Sequence, residues 1–345
     1  MSQTGLRQVA THAGVSPATV SNYLNHPDKL AAATAERIRS AISELGYVGN
    51  SAARALRVGE SDTIGHLTFE VGNPFFFDFS KGVQDRAAES GYSVLIANTA
   101  GSSEREERFF DLFEAQRIKG LLLSPLKDST RRLNGLRQRG IPIVLIDTHR
   151  DGVECSSVSV DDVEGGRLAV DHLIQLGRKR IMFVGGPLDL DSVADRLKGA
   201  RRAARAAPDV EFEVFEIDDR TIKAGRDSAA QLLERRRPMP DAIFAANDLV
   251  AVGMLHVLLR SGRVRVPEDV AIVGYDDIDF AAEAIVPLTS VRRPGELFGR
   301  TALDLLHRQI TTGGAPERVV FQPTLVPRRS TLGDQSTDID AKEEA

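Results

Sequence analysis

Near the N-terminus, Ser16-Pro17-Ala18-Thr19-Val20-Ser21-Asn22 carries side chains suited to reading nucleic-acid base edges. Asn22 can contact an adenine edge through two hydrogen bonds, Ser21 can reach a phosphate or a base, and Ala18 can touch a thymine methyl. Pro17 and Thr19 complete this candidate set. A second group lies at the carboxyl ends of apolar runs: Asp147 after Ile143–Ile146, Asn247 after Ala242–Ala246, and Asp276 after Ala271–Tyr275. Two carboxylates and an amide converging on a cleft suit a polyhydroxylated ligand, because each can accept from or donate to paired hydroxyls. Phe75, in Asn73-Pro-Phe-Phe-Phe77, could stack on a sugar face. Strand-end aspartates also cap helices, and Asp248 is read as such a cap.

The first group needs a helix held across another. Leu6, Val9, Ala10 and Ala13 share one helix face at i, i+3, i+4 and i+7, and Gly14 ends that helix. Ser16 as N-cap followed by Pro17 starts a second helix after a turn too short for an antiparallel pair, so the two cross steeply. That arrangement exposes Pro17 to Asn22 at the end a recognition helix inserts into the major groove. Thr34 can cap a third helix whose Ile38, Ala41, Ile42 and Leu45 face inward, and Gly46 closes it. The second group needs parallel strands. Beyond Thr63, runs at Ile64–Phe69, Val94–Ala97, Leu121–Ser124, Ile143–Ile146, Ile181–Val184, Ala242–Ala245 and Ala271–Gly274 alternate with amphipathic stretches. This alternation predicts βαβ units with helices on both faces, in two similar lobes.

Composition narrows the function classes. With 42% hydrophobic and 27% charged residues in 345, the chain is globular, and runs such as Ile141–Ile146 are far shorter than the ~20 residues of a membrane span. The N-terminus has no basic-then-apolar signal, so a cytoplasmic location is expected, and the lone Cys155 fits a reducing compartment. The net charge of −5 is uneven: residues 1–60 carry six basic and four acidic side chains, net +2, and the remainder carries −7. There is no Walker loop, His-Glu-x-x-His, Gly-x-Ser-x-Gly or metal-ligand spacing, and Gly185-Gly186 is too short for a dinucleotide fingerprint. No catalytic residue, metal or cofactor is therefore expected.

Leu6-Arg-Gln-Val-Ala-Thr-His-Ala-Gly-Val-Ser-Pro-Ala-Thr-Val-Ser-Asn-Tyr-Leu-Asn25 resembles the signature of the lactose/galactose-repressor (LacI/GalR) family. Glu44 to Leu56, Asn247-Asp-Leu-Val-Ala-Val-Gly253 and Val273-Gly-Tyr-Asp-Asp277 agree with it in order along nearly the whole chain. Asn22 stands where such proteins often carry arginine, and Gly5 where they commonly carry threonine. The resemblance implies an all-α helix-turn-helix head joined to an α/β, two-lobed, periplasmic-binding-protein-like (type I) core with parallel sheets. Expected boundaries are a head at 1–49 and a hinge at 50–60. The core spans 61–329, with lobes of about 61–158 plus 292–320 and about 159–291 plus 321–329, before a disordered acidic tail at 330–345.

The hinge stretch from Asn50 is shorter than the ~12–15 residues an isolated helix needs, so it is expected to be disordered without a partner. The resemblance implies that two hinges fold together in the minor groove, with Asn50 and Ala53 in contact and Leu56 as a wedge. It also implies a homodimer on a pseudo-palindromic operator in double-stranded DNA, at the nucleoid, repressing rather than activating. Arg196 resembles the family's ligand-binding arginine near a helix start. Arg220 stands where the family often places an aromatic or hydroxyl residue; facing the cleft, it would admit an anionic ligand. The expected function is a transcriptional regulator controlled by a small polar effector, a sugar by family default. The alternatives are a nucleoside-responsive regulator and a sugar-binding protein of a transport system.

Overall fold

The computed structural model describes residues 5–26, 29–47, 61–126, 129–148 and 154–336. The hinge positions Asn50, Ala53 and Leu56 lie outside the described residues. The described chain forms two compact units, divided at residues 61 and 62.

In the first unit, α1 spans Leu6–His12, α2 Pro17–Asn25 and α3 Ala32–Leu45. The Gln8 carboxamide accepts from the Gly5 N–H at 2.7 Å, so a glycine start is held by the side chain of its own first turn. Ser16 Oγ accepts from the Thr19 N–H at 3.1 Å, the expected cap. Helix α3 begins two residues before the expected cap at Thr34. The Ala31 carbonyl already accepts from the Thr34 and Ala35 N–H groups, and Ala32-Ala33 are strong helix formers that need no side-chain cap. Its C-terminus ends at Gly46 with φ +57°, a left-handed turn that favours glycine. Val9, Ala10, Ala13, Val20, Ile38 and Ala41 form the buried centre, and His12 binds Glu44 across α1 and α3 at 2.6 Å.

The second unit contains two six-stranded sheets. The first has the order β11-β5-β4-β3-β1-β2, with β1 Thr63–Thr68, β2 Ser93–Asn98, β3 Gly120–Leu123, β4 Ile143–Ile146, β5 Ser156–Val160 and β11 Arg318–Phe321. The second has the order β12-β10-β9-β8-β6-β7, with β6 Arg180–Gly185, β7 Glu211–Glu216, β8 Ala242–Ala245, β9 Ala271–Asp276, β10 Thr289–Arg292 and β12 Thr324–Val326. All pairings are parallel except β10 with β12. The chain passes between the sheets after β5, after β10 and after β11.

The seven apolar runs are all strands. Sequence patterning missed β5, β7, β10, β11 and β12. Ser156-Ser-Val-Ser-Val160 and Glu211-Phe-Glu-Val-Phe-Glu216 mix polar residues into buried or edge positions, so neither reads as an apolar run. Order also extends further than expected, through a turn at Arg329–Leu332 and a 3₁₀ segment at Gly333–Ser336. Ser330 explains this correction: its buried hydroxyl donates to the Ile272 carbonyl at 2.6 Å and accepts from the Thr289 N–H at 2.8 Å. Residues 337–345 lie outside the described residues.

Two glycines set the approach that positions Arg196. The helices Asp162–Gln175 and Asp191–Ala206 meet so closely that a Cβ on Gly166 would lie 1.9 Å from the Arg196 carbonyl oxygen. A Cβ on the neighbouring Gly165 would lie 2.2 Å from the Tyr275 hydroxyl. In the first sheet, His66 on β1 is fully buried against Phe79, ring centroids 5.1 Å apart, with no partner for either ring nitrogen. Burial lowers its pKa to about 4, so the ring is neutral near pH 7.

Candidate functional site

On the head, the leading end of α2 presents Pro17, Ala18 and Asn22 to solvent, with Ser21 and Thr19 half-buried. Thr19 is partly committed to the cap, since its hydroxyl lies 2.9 Å from Ser16 Oγ. Pro17, Ala18 and Asn22 therefore remain the readily accessible members of the expected set.

A cleft of about 660 Å³ opens where the carboxyl ends of strands from both sheets converge. Glu70, Asn98, Ser124 and Asp147 line it from the first sheet; Asp191, Asp218 and Arg220 line it from the second lobe. Of the six expected ligand residues, Asp147 and Arg220 therefore stand on its wall. The other four, Arg196, Asp276, Phe75 and Asn247, are buried behind it.

Those four belong to a polar network at the base of the cleft. Arg196, 2% exposed, donates from Nε to Asp162 at 2.9 Å and from Nη1 to the Ala246 carbonyl at 2.6 Å. Its Nη2 lies 3.7 Å from Asp276, and its guanidinium stacks 3.7 Å above the Tyr275 ring. Asp276 accepts from Asn73 Nδ2 at 3.0 Å and from Arg293 Nη1 at 3.3 Å. Arg293 also donates to Asp147, and it lies 3.7 Å over the Phe75 ring. Phe75 is thus core and carries an arginine, and its ring is not on the cleft wall where a sugar would stack. Asn247 caps the helix Asp248–Arg260 by accepting from the Val250 N–H at 3.0 Å, while its amide donates to the Arg220 carbonyl at 3.0 Å.

Asp248 is therefore not the cap. Its carboxylate, one residue too far along, accepts instead from the Ile278 N–H at 2.9 Å and Ser290 Oγ at 2.6 Å.

Electrostatics follow burial. Desolvation raises the Asp147 pKa above the usual carboxylate range, and Arg293 opposes that shift. Burial likewise raises Glu70, against the pull of Arg220, and lifts Asp248 well above its ordinary value. Burial alone would lower Arg196, but Asp162 and Asp276 hold it above its ordinary value, so it stays charged. Removing one partner from such a cluster leaves an uncompensated buried charge. The backbone is strained at the same place: Asp147, Asp276 and Asp277 have φ of +58°, +103° and +55°. Left-handed geometry at non-glycine residues costs free energy and concentrates at functional sites.

Glu70, Ser124, Asp162, Tyr275 and Arg293 are part of this assembly but absent from the sequence-based set. Glu70 follows the first strand, so the rule that picked Asp147 would have found it. Arg293 follows β10, whose short Thr289-Ser-Val-Arg292 run carries no strong pattern. Among the described residues, no three metal-ligating side chains converge, and no helix is long and apolar enough to cross a membrane.

A helix-turn-helix head in one chain with a two-sheet α/β core that holds a polar interlobe cleft defines a ligand-controlled DNA-binding regulator. Residues 5–50 match the family of bacterial regulatory proteins, lacI family, and residues 170–331 match a periplasmic binding protein-like domain. The chain is 38% identical to the HTH-type transcriptional regulator CelR of Thermobifida fusca over 336 residues, covering 94% of this chain and 97% of that protein. It resembles the CelR–cellobiose complex (TM-score 0.70, 36% identity, 95% of this chain and 100% of that one). It also resembles the Lac repressor dimer bound to operator and an anti-inducer (TM-score 0.82, 29% identity, 96% and 100%). The chain belongs to the LacI family of bacterial transcriptional regulators. It is a ligand-responsive transcription regulator and not an enzyme.

Proposed function

We propose that the chain acts in the cytoplasm, at the nucleoid, as a homodimeric repressor whose affinity for a pseudo-palindromic operator is set by a sugar bound in the interlobe cleft. The observation that carries the ligand class is Ser124. Its buried hydroxyl lines the cleft without a hydrogen-bond partner, beside carboxylates from both lobes. An orphaned buried hydroxyl costs ~1–3 kcal/mol, which a ligand hydroxyl would recover. CelR, a relative, is known in complex with cellobiose.

Asp147 and Arg220 would touch the ligand first. Arg196, Asp276, Asn247 and Phe75 would shape the base of the cleft and reach the ligand only by exchanging present partners. Pro17, Ala18, Thr19, Ser21 and Asn22 form the proposed major-groove set, and Asn50, Ala53 and Leu56 the proposed hinge contacts. A second copy would cover edge strand β2, whose Leu95 and Ile96 are exposed near Phe77, 70% exposed. The reading divides the chain into a head (1–49), hinge (50–60) and core (61–329).

A thermal-shift screen against sugars, sugar phosphates and nucleosides tests the proposal, since a ligand bound only by the folded state raises Tm. A sugar hit that also changes operator affinity supports it. A nucleoside hit, or a sugar hit without effect on operator binding, overturns the effector assignment.

A further inference from the structure

We propose that the Glu70–Arg220 pair is a charge filter, making the cleft a site for an uncharged polyhydroxy ligand and turning away sugar phosphates and sugar acids. This rests on the reading of the cleft as the effector site.

Arg220 is the sole basic side chain among the described residues lining the cleft. Its charge is already matched. Nη2 donates to Glu70 on the opposite lobe, and the guanidinium lies 5.4 Å over the Phe69 ring of that same lobe. Both side chains are withdrawn from solvent, Arg220 at 8% and Glu70 at 17% exposure. The Asn247 amide donates to the Arg220 carbonyl at 3.0 Å and so fixes the main chain from which the side chain projects, while Glu70 holds the guanidinium itself.

An incoming phosphate or carboxylate would meet no unmatched positive charge and would face the Glu70 carboxylate in a poorly solvated space, where like charges repel strongly. A hydroxyl meets neither penalty. It can accept from the remaining guanidinium N–H groups and donate to a carboxylate oxygen, bridging the pair without breaking it. Specificity built from such a repulsive element is a matter of what the site rejects. Ser124 adds an unpartnered buried hydroxyl to the same wall and favours a ligand rich in hydroxyls.

The test uses full-length protein and Glu70→Gln, titrated calorimetrically with cellobiose against cellobionate, glucose against glucose 6-phosphate, and inorganic phosphate alone. Wild type is expected to bind the neutral member of a responsive pair at least about tenfold more tightly and to ignore inorganic phosphate. Glu70→Gln uncovers Arg220 and is expected to narrow that ratio by about tenfold and to gain phosphate binding. Glu70→Ala must do the same, and Glu70→Gln with Arg220→Gln must lose the gained phosphate binding. Wild type that binds a charged member as tightly as its neutral partner overturns the filter, as does a Glu70→Gln protein that fails to bind phosphate. If no sugar binds at all, the sugar assignment fails separately, and the phosphate arm still decides the filter.

Discussion

The head and the core solve the problem of presenting polar groups in opposite ways. On α2 the proposed base-reading side chains project outward, and what holds them is local: Ser16 caps the turn that carries Ala18, Thr19, Ser21 and Asn22. In the core the polar groups are buried, paired over long sequence separations and set on a strained backbone; Arg293 reaches Asp147 across 146 positions. Exposed groups held by their own helix can change one at a time. Buried groups held by one another can change only together.

Arg196→Ala should break the core's side of this contrast with the largest effect. It leaves Asp162 buried without its cation and Asp276 with Arg293 alone, at ~3–5 kcal/mol. Denaturant unfolding of the core should move to lower concentration and the effector response should vanish, while salt-dependent binding to random duplex survives. Retention of full core stability would show that the network is not mutually dependent.

His66 supplies the next largest effect. Its folded pKa of about 4 lies below the ordinary 6.5, so the unfolded chain binds the extra proton first. Its contribution is fully present above pH 6.5 and falls away as pH drops toward 4, by at most about 3 kcal/mol. Urea titrations from pH 7 to 4 should reveal that slope, and His66→Phe, placed against Phe79, should flatten it.

On the head, effects should be smaller and separable. Asn22→Ala is expected to cost ~1–3 kcal/mol of discrimination at one operator position, read by binding selection from randomised duplexes, with the core's thermal transition unchanged. Ser16→Ala should cost ~1 kcal/mol and speed amide exchange at Thr19. A Ser16→Ala change that also altered effector affinity would erase the distinction between local and long-range support.

The same distinction governs what could be read from the chain. Gly14, Ser16-Pro17 and Gly46 mark helix ends through chemistry confined to a few residues, and they lie where expected. Six of the seven apolar strands were legible because they are buried nearly throughout; the edge strand β2 is largely exposed and was legible by its run of Val, Leu and Ile alone. Thr34 misled because a good cap residue also sits comfortably in a first turn when the preceding alanines are already helical. Asp248 misled because one residue decides whether a carboxylate meets the N–H groups of its own helix or those of a distant loop. Phe75 is core because Arg293 lies on it, a fact of two segments far apart in sequence. Asp147, Asp276 and Asn247 were picked by their place at strand ends and Arg196 by resemblance, but the partners that hold them, Arg293 and Asp162 foremost, exist only in the folded chain.

The left-handed backbone at Asp147 and Asp276 also limits how the cleft can be re-tailored. Asparagine and glycine tolerate such torsions, whereas β-branched or bulky residues do not. A library seeking a new effector should therefore hold both aspartates within that narrow alphabet. Its diversity belongs at Asn98, Ser124 and Asp218, which line the cleft and whose main chain carries no positive φ.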